Sequence, residues 1–181
     1  MNLLQRRREL LKMGGGLLPP GYTELEYLES ANKSVIISTY NSGDTFVVDA
    51  VSESGASNRI LLCYSASTGT WMGAVSNGHW GLGTANYLSI PSTTRATLSV
   101  TFTSAKCILS ANGSSVERNG GLQSGRIQIF GFSGTYLFTG KVFSVKKIVD
   151  NVLVEHFVPC IEDATNKVGL YDIINQIFVE Y

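Results

Sequence analysis

Trp71, His79, Trp80, Asn86 and Tyr87 fall within one glycine-rich span. Aromatic faces stack on sugar rings, and Asn and His side chains bond sugar hydroxyls, so these residue types are what a glycan site needs. A second reading fits the same residues. Both tryptophans could be core or sheet-surface packing, because Trp is usually well buried. His79 follows Ser76-Asn77-Gly78 and reads as a hydrogen-bonding loop residue, since no Ser–His–Asp pattern surrounds it.

Glycoside cleavage needs two carboxylates at close range. The nearest spacing is Glu24-Leu25-Glu26-Tyr27-Leu28-Glu29, where Leu25 and Leu28 read as anchors and the glutamates face water. Glu162-Asp163 follows Pro159 with no obvious partner, and Asp44, Asp49, Asp150 and Asp163 are too scattered for a calcium loop. Gly81-Leu82-Gly83 lacks the lysine and the strand-to-helix setting of a phosphate cradle. Cys63, Cys107 and Cys160 are too few for a disulfide framework and read as buried thiols. None lies at ligand spacing from another Cys or from His79 or His156, so neither metal nor cofactor is expected. The expectation is a protein without catalytic residues.

The elements that must position these residues read as strands. Thr97 to Thr103 alternates strictly, with Leu98, Val100 and Phe102 on one face. Phe46, Val48 and Ala50 share a face between Thr45 and Val51. Ser34–Ser38, Ile60–Tyr64, Cys107–Ala111, Ile127–Phe132, Tyr136–Phe138, Lys141–Val149, Val152–Val158, Val168–Tyr171 and Gln176–Tyr181 are further candidates. Asn112-Gly113 and Asp150-Asn151 predict hairpin turns, because these residues tolerate positive φ, and a last hairpin is expected around Asn175. About ten short strands without βαβ alternation predict an all-β antiparallel sandwich or barrel.

The stretch before the strands differs. Leu3, Leu4, Leu10 and Leu11 recur at a spacing of seven, with Arg6, Arg7 and Arg8 between them. A short helix over residues 1–13 is expected, ended by Gly14-Gly15-Gly16 and kept from resuming by Pro19-Pro20. Residues 1–20 are thus a helix and linker, and 21–181 one domain. The arginines fit a solvated helix face or a nucleic-acid contact. The leucine stripe has no core of its own, so Leu3, Leu4, Arg7, Leu10 and Leu11 are candidates for assembly, pointing to a homo-oligomer or another protein partner.

Composition narrows the function classes. The chain has 181 residues, with 14 Lys plus Arg against 14 Asp plus Glu. Zero net charge leaves no bulk field to hold nucleic acid or an anionic membrane. With 44% hydrophobic and 15% charged residues, a disordered chain is excluded. Leu10-Leu11 is too short for a signal-peptide core, and no run approaches the roughly 18 apolar residues of a membrane span. A soluble product made in the cytoplasm, without membrane insertion, is expected.

Two ends of the chain carry a resemblance. The opening Gly21-Tyr22-Thr23-Glu24-Leu25-Glu26-Tyr27-Leu28-Glu29-Ser30 is one part of it. The closing part is Gly140-Lys141-Val142-Phe143-Ser144-Val145-Lys146, Phe157-Val158-Pro159-Cys160 and Val168-Gly169-Leu170-Tyr171-Asp172. These resemble the concanavalin A-like lectin/glucanase superfamily, and more narrowly its LamG-type domains in phages and prophages of gut bacteria. Leu3-Leu4-Gln5-Arg6-Arg7-Arg8-Glu9-Leu10-Leu11 is similar to the short leading segment of such proteins. Ser38 stands where that family has an acidic residue, and His156 where a charged residue usually precedes the Phe. The resemblance implies a two-sheet jelly roll whose end motifs bring the first and last strands together. It implies a virion- or tail-associated module contacting bacterial surface carbohydrate or other virion proteins. The alternatives are a carbohydrate-binding domain of a gut bacterium and, with the carboxylate set missing, a glycoside hydrolase.

Overall fold

The computed structural model describes residues 16–30, 33–53, 59–65, 70–74, 78–83, 86–120, 124–131 and 137–181. Sixteen strands lie among them. In chain order they are β1 (Tyr22–Glu24), β2 (Leu28–Glu29), β3 (Val35–Asn41), β4 (Thr45–Ser52), β5 (Arg59–Ser65), β6 (Thr70–Ala74), β7 (His79–Leu82) and β8 (Asn86–Pro91). The second half holds β9 (Ala96–Phe102), β10 (Lys106–Ala111), β11 (Ser114–Asn119), β12 (Ser124–Ile129), β13 (Gly140–Val149), β14 (Val152–Glu162), β15 (Lys167–Asp172) and β16 (Ile177–Glu180). They form two antiparallel sheets packed as a sandwich. The first runs β11-β10-β9-β4-β13-β14-β15-β16, and the second β3-β12-β5-β6-β7-β8.

Alternation explains the core. Phe46, Val48 and Ala50 of β4 and Leu98, Val100 and Phe102 of β9 all point into it, and the residues between them point outward. On the outer face Thr45 and Thr101 meet through their hydroxyls at 2.8 Å. Trp80, Leu82, Ile127 and Ile129 supply the opposing layer. The two predicted hairpin turns are present. Asn112 and Gly113 have φ of 50° and 78°, and Asp150 and Asn151 have 49° and 65°. Asp172 and Ile177 close the third hairpin around Asn175.

The opening segment lies against the closing strands. β13 pairs with β14 only from Val145 to Val149. Where the two strands part, β1 pairs with β14 at Cys160–Glu162 and β2 pairs with β13 at Lys141–Val142. Leu28 is buried beneath this wedge. Asp163, which the sequence leaves without a partner, accepts a 2.6 Å hydrogen bond from Thr23 Oγ1.

Some elements differ from expectation. Tyr136–Phe138 is not a strand over its described part: Leu137 forms only an isolated bridge to Ile60, and Phe138 is a core side chain. Three further strands, β6, β7 and β8, come from stretches that look like loops, and β11 is the second arm of the Asn112-Gly113 hairpin. In β6, Gly73 is required by close approach, because a Cβ there would lie 1.9 Å from the Arg59 carbonyl oxygen. The expected helix over 1–13 lies outside the described residues.

One charge lies between the sheets. Lys147 of β13 is buried, and its Nζ donates to the Thr39 carbonyl at 2.7 Å. Asp44 Oδ2 is 3.3 Å away and Glu155 Oε1 4.0 Å. Asp44, also buried, accepts from the Asn41 amide at 2.8 Å and so braces the β3–β4 crossover. Removing one partner of a buried pair strands the other charge. Lys147→Met is expected to cost about 3–5 kcal/mol in urea denaturation, with part recovered by adding Asp44→Asn. A loss below about 1 kcal/mol would mean that the pair does not hold the crossover.

Candidate functional site

β7 and β8 pair antiparallel and place His79 and Tyr87 beside each other. Their ring centroids are 5.6 Å apart with a 36° tilt. Tyr87 is 42% exposed, and His79 is half-buried. The His79 Nδ1 is buried and has no hydrogen-bond partner among the described residues. Asn86, at the start of β8, donates from Nδ2 to the Glu117 carbonyl at 2.7 Å. That bond ties the edge of the second sheet to β11, the edge of the first.

The tryptophans are elsewhere. Successive strand residues point to opposite faces, so Trp80, next to His79, points into the core. It is fully buried, stacks on Phe138 at 6.0 Å and donates from Nε1 to the Thr94 carbonyl at 3.3 Å. Trp71 lies outside the core cluster yet is only 8% exposed. Neither indole offers a face for stacking, which corrects the expectation that Trp71 and Trp80 hold a sugar ring. His79, Asn86 and Tyr87 do come together. His79 opens a strand instead of sitting in a loop.

β11 contributes two residues that sequence reasoning missed. The Arg118 guanidinium covers Gly83, where φ is +60° and a Cβ would meet Nη1. The Glu117 side chain, next along the strand and so on its other face, pairs with Lys106 at 2.7 Å. The only available signal was the Asn112-Gly113 turn, which places a strand directly after it. The rim can therefore offer one open aromatic ring with a half-buried imidazole beside it.

The remaining candidates are structural. Glu24 accepts from the Leu17 amide, which holds the linker to β1. Cys107 and Cys160 are buried free thiols. Burial, with Glu162, Asp163 and Glu24 nearby, pushes the Cys160 thiol up to about 12, so it stays protonated and unreactive. The Cys63 side chain and the assembly candidates Leu3, Leu4, Arg7, Leu10 and Leu11 lie outside the described residues. No group of His, Cys, Asp and Glu suited to a metal ion occurs among the described residues. No helix there is long and apolar enough to cross a membrane.

Asp172 anchors the β15–β16 hairpin. It accepts from the amides of His156 and Ile174, each at 3.0 Å, and from Asn175 Nδ2 at 2.6 Å. Burial works to raise its pKa, but these donors outweigh it and the carboxyl sits below its ordinary 3.8. Burial, with Lys146 nearby, lowers His156 from 6.5, and Asp172 opposes that shift.

No known family profile matches this chain, and no curated protein matches it.

The Asp172 shift gives a pH test. A lowered folded pKa contributes stability that is complete above the ordinary value and disappears as pH falls through the lowered one. His156 has the same sign, losing stability as pH falls below 6.5. Asp172→Asn is expected to lose about 1–3 kcal/mol at pH 7. The gap to wild type should close below pH 4 in urea denaturation, and an unchanged gap there would contradict the assignment.

Proposed function

We propose that the chain is a non-catalytic recognition module, a jelly-roll sandwich of the concanavalin A-like kind carried by a virion or its tail, and that it contacts bacterial surface glycan. The observation that carries the reading is the exposed Tyr87 ring beside His79 at the β7–β8 edge. A tyrosine ring packs against the C–H face of a pyranose, and an imidazole beside it is a residue type that bonds hydroxyls. The opening segment against the closing strands, as in the resembled family, supports the fold part of the reading.

With both indoles withdrawn into the protein, a single ring carries the stacking. One aromatic contact contributes on the order of 1 kcal/mol, so affinity should be in the millimolar range unless many copies act together. The test is a glycan array followed by NMR titration of the best hit. Tyr87→Ala should abolish the shifts and leave the melting temperature within 2 °C or so, since the ring is exposed. Tyr87→Phe should keep most of the binding. A hit that perturbs only residues away from β7, β8 and β11 would refute the site.

A further inference from the structure

A strand at the edge of a sheet carries unpaired backbone N–H and C=O groups that can pair with another chain, and proteins usually blunt such edges. Three of the four edges here are blunted. β8 ends at Pro91 and is tied to β11 by the bond from Asn86 to the Glu117 carbonyl, so these two edges hold each other. The register of β3 with β12 skips Ile37, and the Lys147 ammonium sits on the Thr39 carbonyl of β3. β16 ends the first sheet with no such protection. Its register with β15 is unbroken, it holds no Lys, Pro or Gly, and among the described residues no strand lies beyond it.

We propose that β16 pairs antiparallel with β16 of a second copy of the chain, across a two-fold axis at Val179, so that one sheet runs through both molecules. The first argument is the backbone. The Tyr181 amide donates to the Val168 carbonyl at 2.9 Å. The Val179 carbonyl points the same way, since a Cβ on Gly169 would lie 2.2 Å from it. Backbone groups alternate along a strand, so Ile177, Val179 and Tyr181 face β15, and the N–H and C=O groups of Phe178 and Glu180 point outward. Pairing about Val179 sets Phe178 of each copy opposite Glu180 of the other. Each such pair exchanges both its bonds, and every outward group of the strand is then satisfied.

The second argument is the side chains. Neighbours across an antiparallel pair share a face. Ile177 alternates with Val179 and Tyr181, which pack against the core. At 55% exposure Ile177 is the one left uncovered. The pairing sets it against Tyr181 of the other copy and sets Val179 against Val179. The surface is self-complementary, as a two-fold interface requires.

The third is charge, which selects the register. Glu180 is the one charge on β16, and Lys167 Nζ neutralises it at 2.7 Å. A pairing centred on Glu180 would set two carboxylates opposite each other. One centred on Phe178 would face Glu180 with Gln176, whose amide is already bonded to the Asp172 carbonyl. Edges this short make a small interface, so the pair is weak by itself, with a dissociation constant in the micromolar range. β11 lies at the opposite end of the first sheet, so the rim with Tyr87 stays open in the pair.

The test is sedimentation of the full chain across about 1–100 μM, over which the wild type should pass from monomer toward dimer. Ile177→Lys places a charge inside the contact at a position that is exposed in the monomer. Glu180→Pro removes an outward N–H and leaves the bonds to β15 in place. Each should weaken the dimer at least tenfold, whereas Glu180→Gln, which keeps the backbone, should retain it. Where Glu180→Pro lowers the melting temperature, Ile177→Lys carries the test. Amide exchange followed by NMR reads the pairing directly. The Phe178 and Glu180 amides should be protected in the wild-type dimer and exchange freely in Ile177→Lys, while Val179 and Tyr181 stay protected in both. A wild type that stays monomeric would overturn the proposal. So would a dimer indifferent to Ile177→Lys, or one lost in Glu180→Gln, which would assign the contact to the side chain. So would protection of Phe178 and Glu180 in a monomer, which would place another segment of the same chain on the edge. Glycan binding through Tyr87 is read separately and does not depend on any of these outcomes.

Discussion

A lysine enclosed between two sheets must have its charge answered from both of them. Lys147 extends from β13 in the first sheet to the Thr39 carbonyl in the second, and the Asp44 carboxylate balances it from the crossover between them. Without these partners the desolvated ammonium would cost several kcal/mol, enough to open this end of the sandwich. The arrangement also fixes how β3 lies over β13 and β14. Glu155 is the remaining member. Burial raises its pKa, while Ser38 and Lys147 act against that rise. A buried pair of this kind contributes less to net stability than to specifying one packing. An apolar corner would tolerate sliding of β3, whereas the ion pair accepts a single register.

The second constraint is the wedge between β13 and β14. These strands carry the longest runs in the chain and diverge after Val145. Divergence leaves unpaired backbone groups, which are costly when buried. β1 and β2 supply partners to each strand, and the Leu25 amide adds a 2.8 Å bond to the Pro159 carbonyl. The opening segment is therefore part of the first sheet and cannot act as a loose leader. Outside the wedge the same logic continues through side chains. Arg95 grips Asp49 with two bonds at 3.0 and 2.7 Å and lies 3.5 Å over the Phe143 ring. Lys141 covers Tyr27 at 4.3 Å. These aromatic faces are occupied by cations, which sets them apart from the open ring of Tyr87.

What could be read from the sequence follows from which forces are local. β4 and β9 were legible because a strand with one wet face must alternate. The Asn112-Gly113 and Asp150-Asn151 turns were legible because positive φ selects few residues. β6 and β7 were hidden because they are short, interrupted by glycine and lack alternation, and β8 because it holds only two aliphatic residues, Leu88 and Ile90. Gly73 looks like a loop residue until the Arg59 carbonyl beside it is seen. The candidate site was half legible. Residue type placed His79, Asn86 and Tyr87 together, but burial depends on the other sheet, and that consigned Trp80 to the core. Arg118 was invisible, since only the β8–β11 approach brings it over Gly83. Nothing local marks Lys147 as buried, because its partners Thr39 and Asp44 lie over 100 residues away.

The edge that carries Tyr87 is also where the two sheets meet. β8 ends the second sheet and β11 the first, and Asn86 Nδ2 joins them through the Glu117 carbonyl at 2.7 Å. The strand bearing the ring is therefore held by β7 on one side and by β11 on the other. A ring on a fixed strand loses little freedom when it meets a ligand, which matters most where a single aromatic contact carries the affinity. Repeated copies convert such a weak contact into lasting attachment only if each keeps its ring uncovered, so any assembly has to leave this edge free.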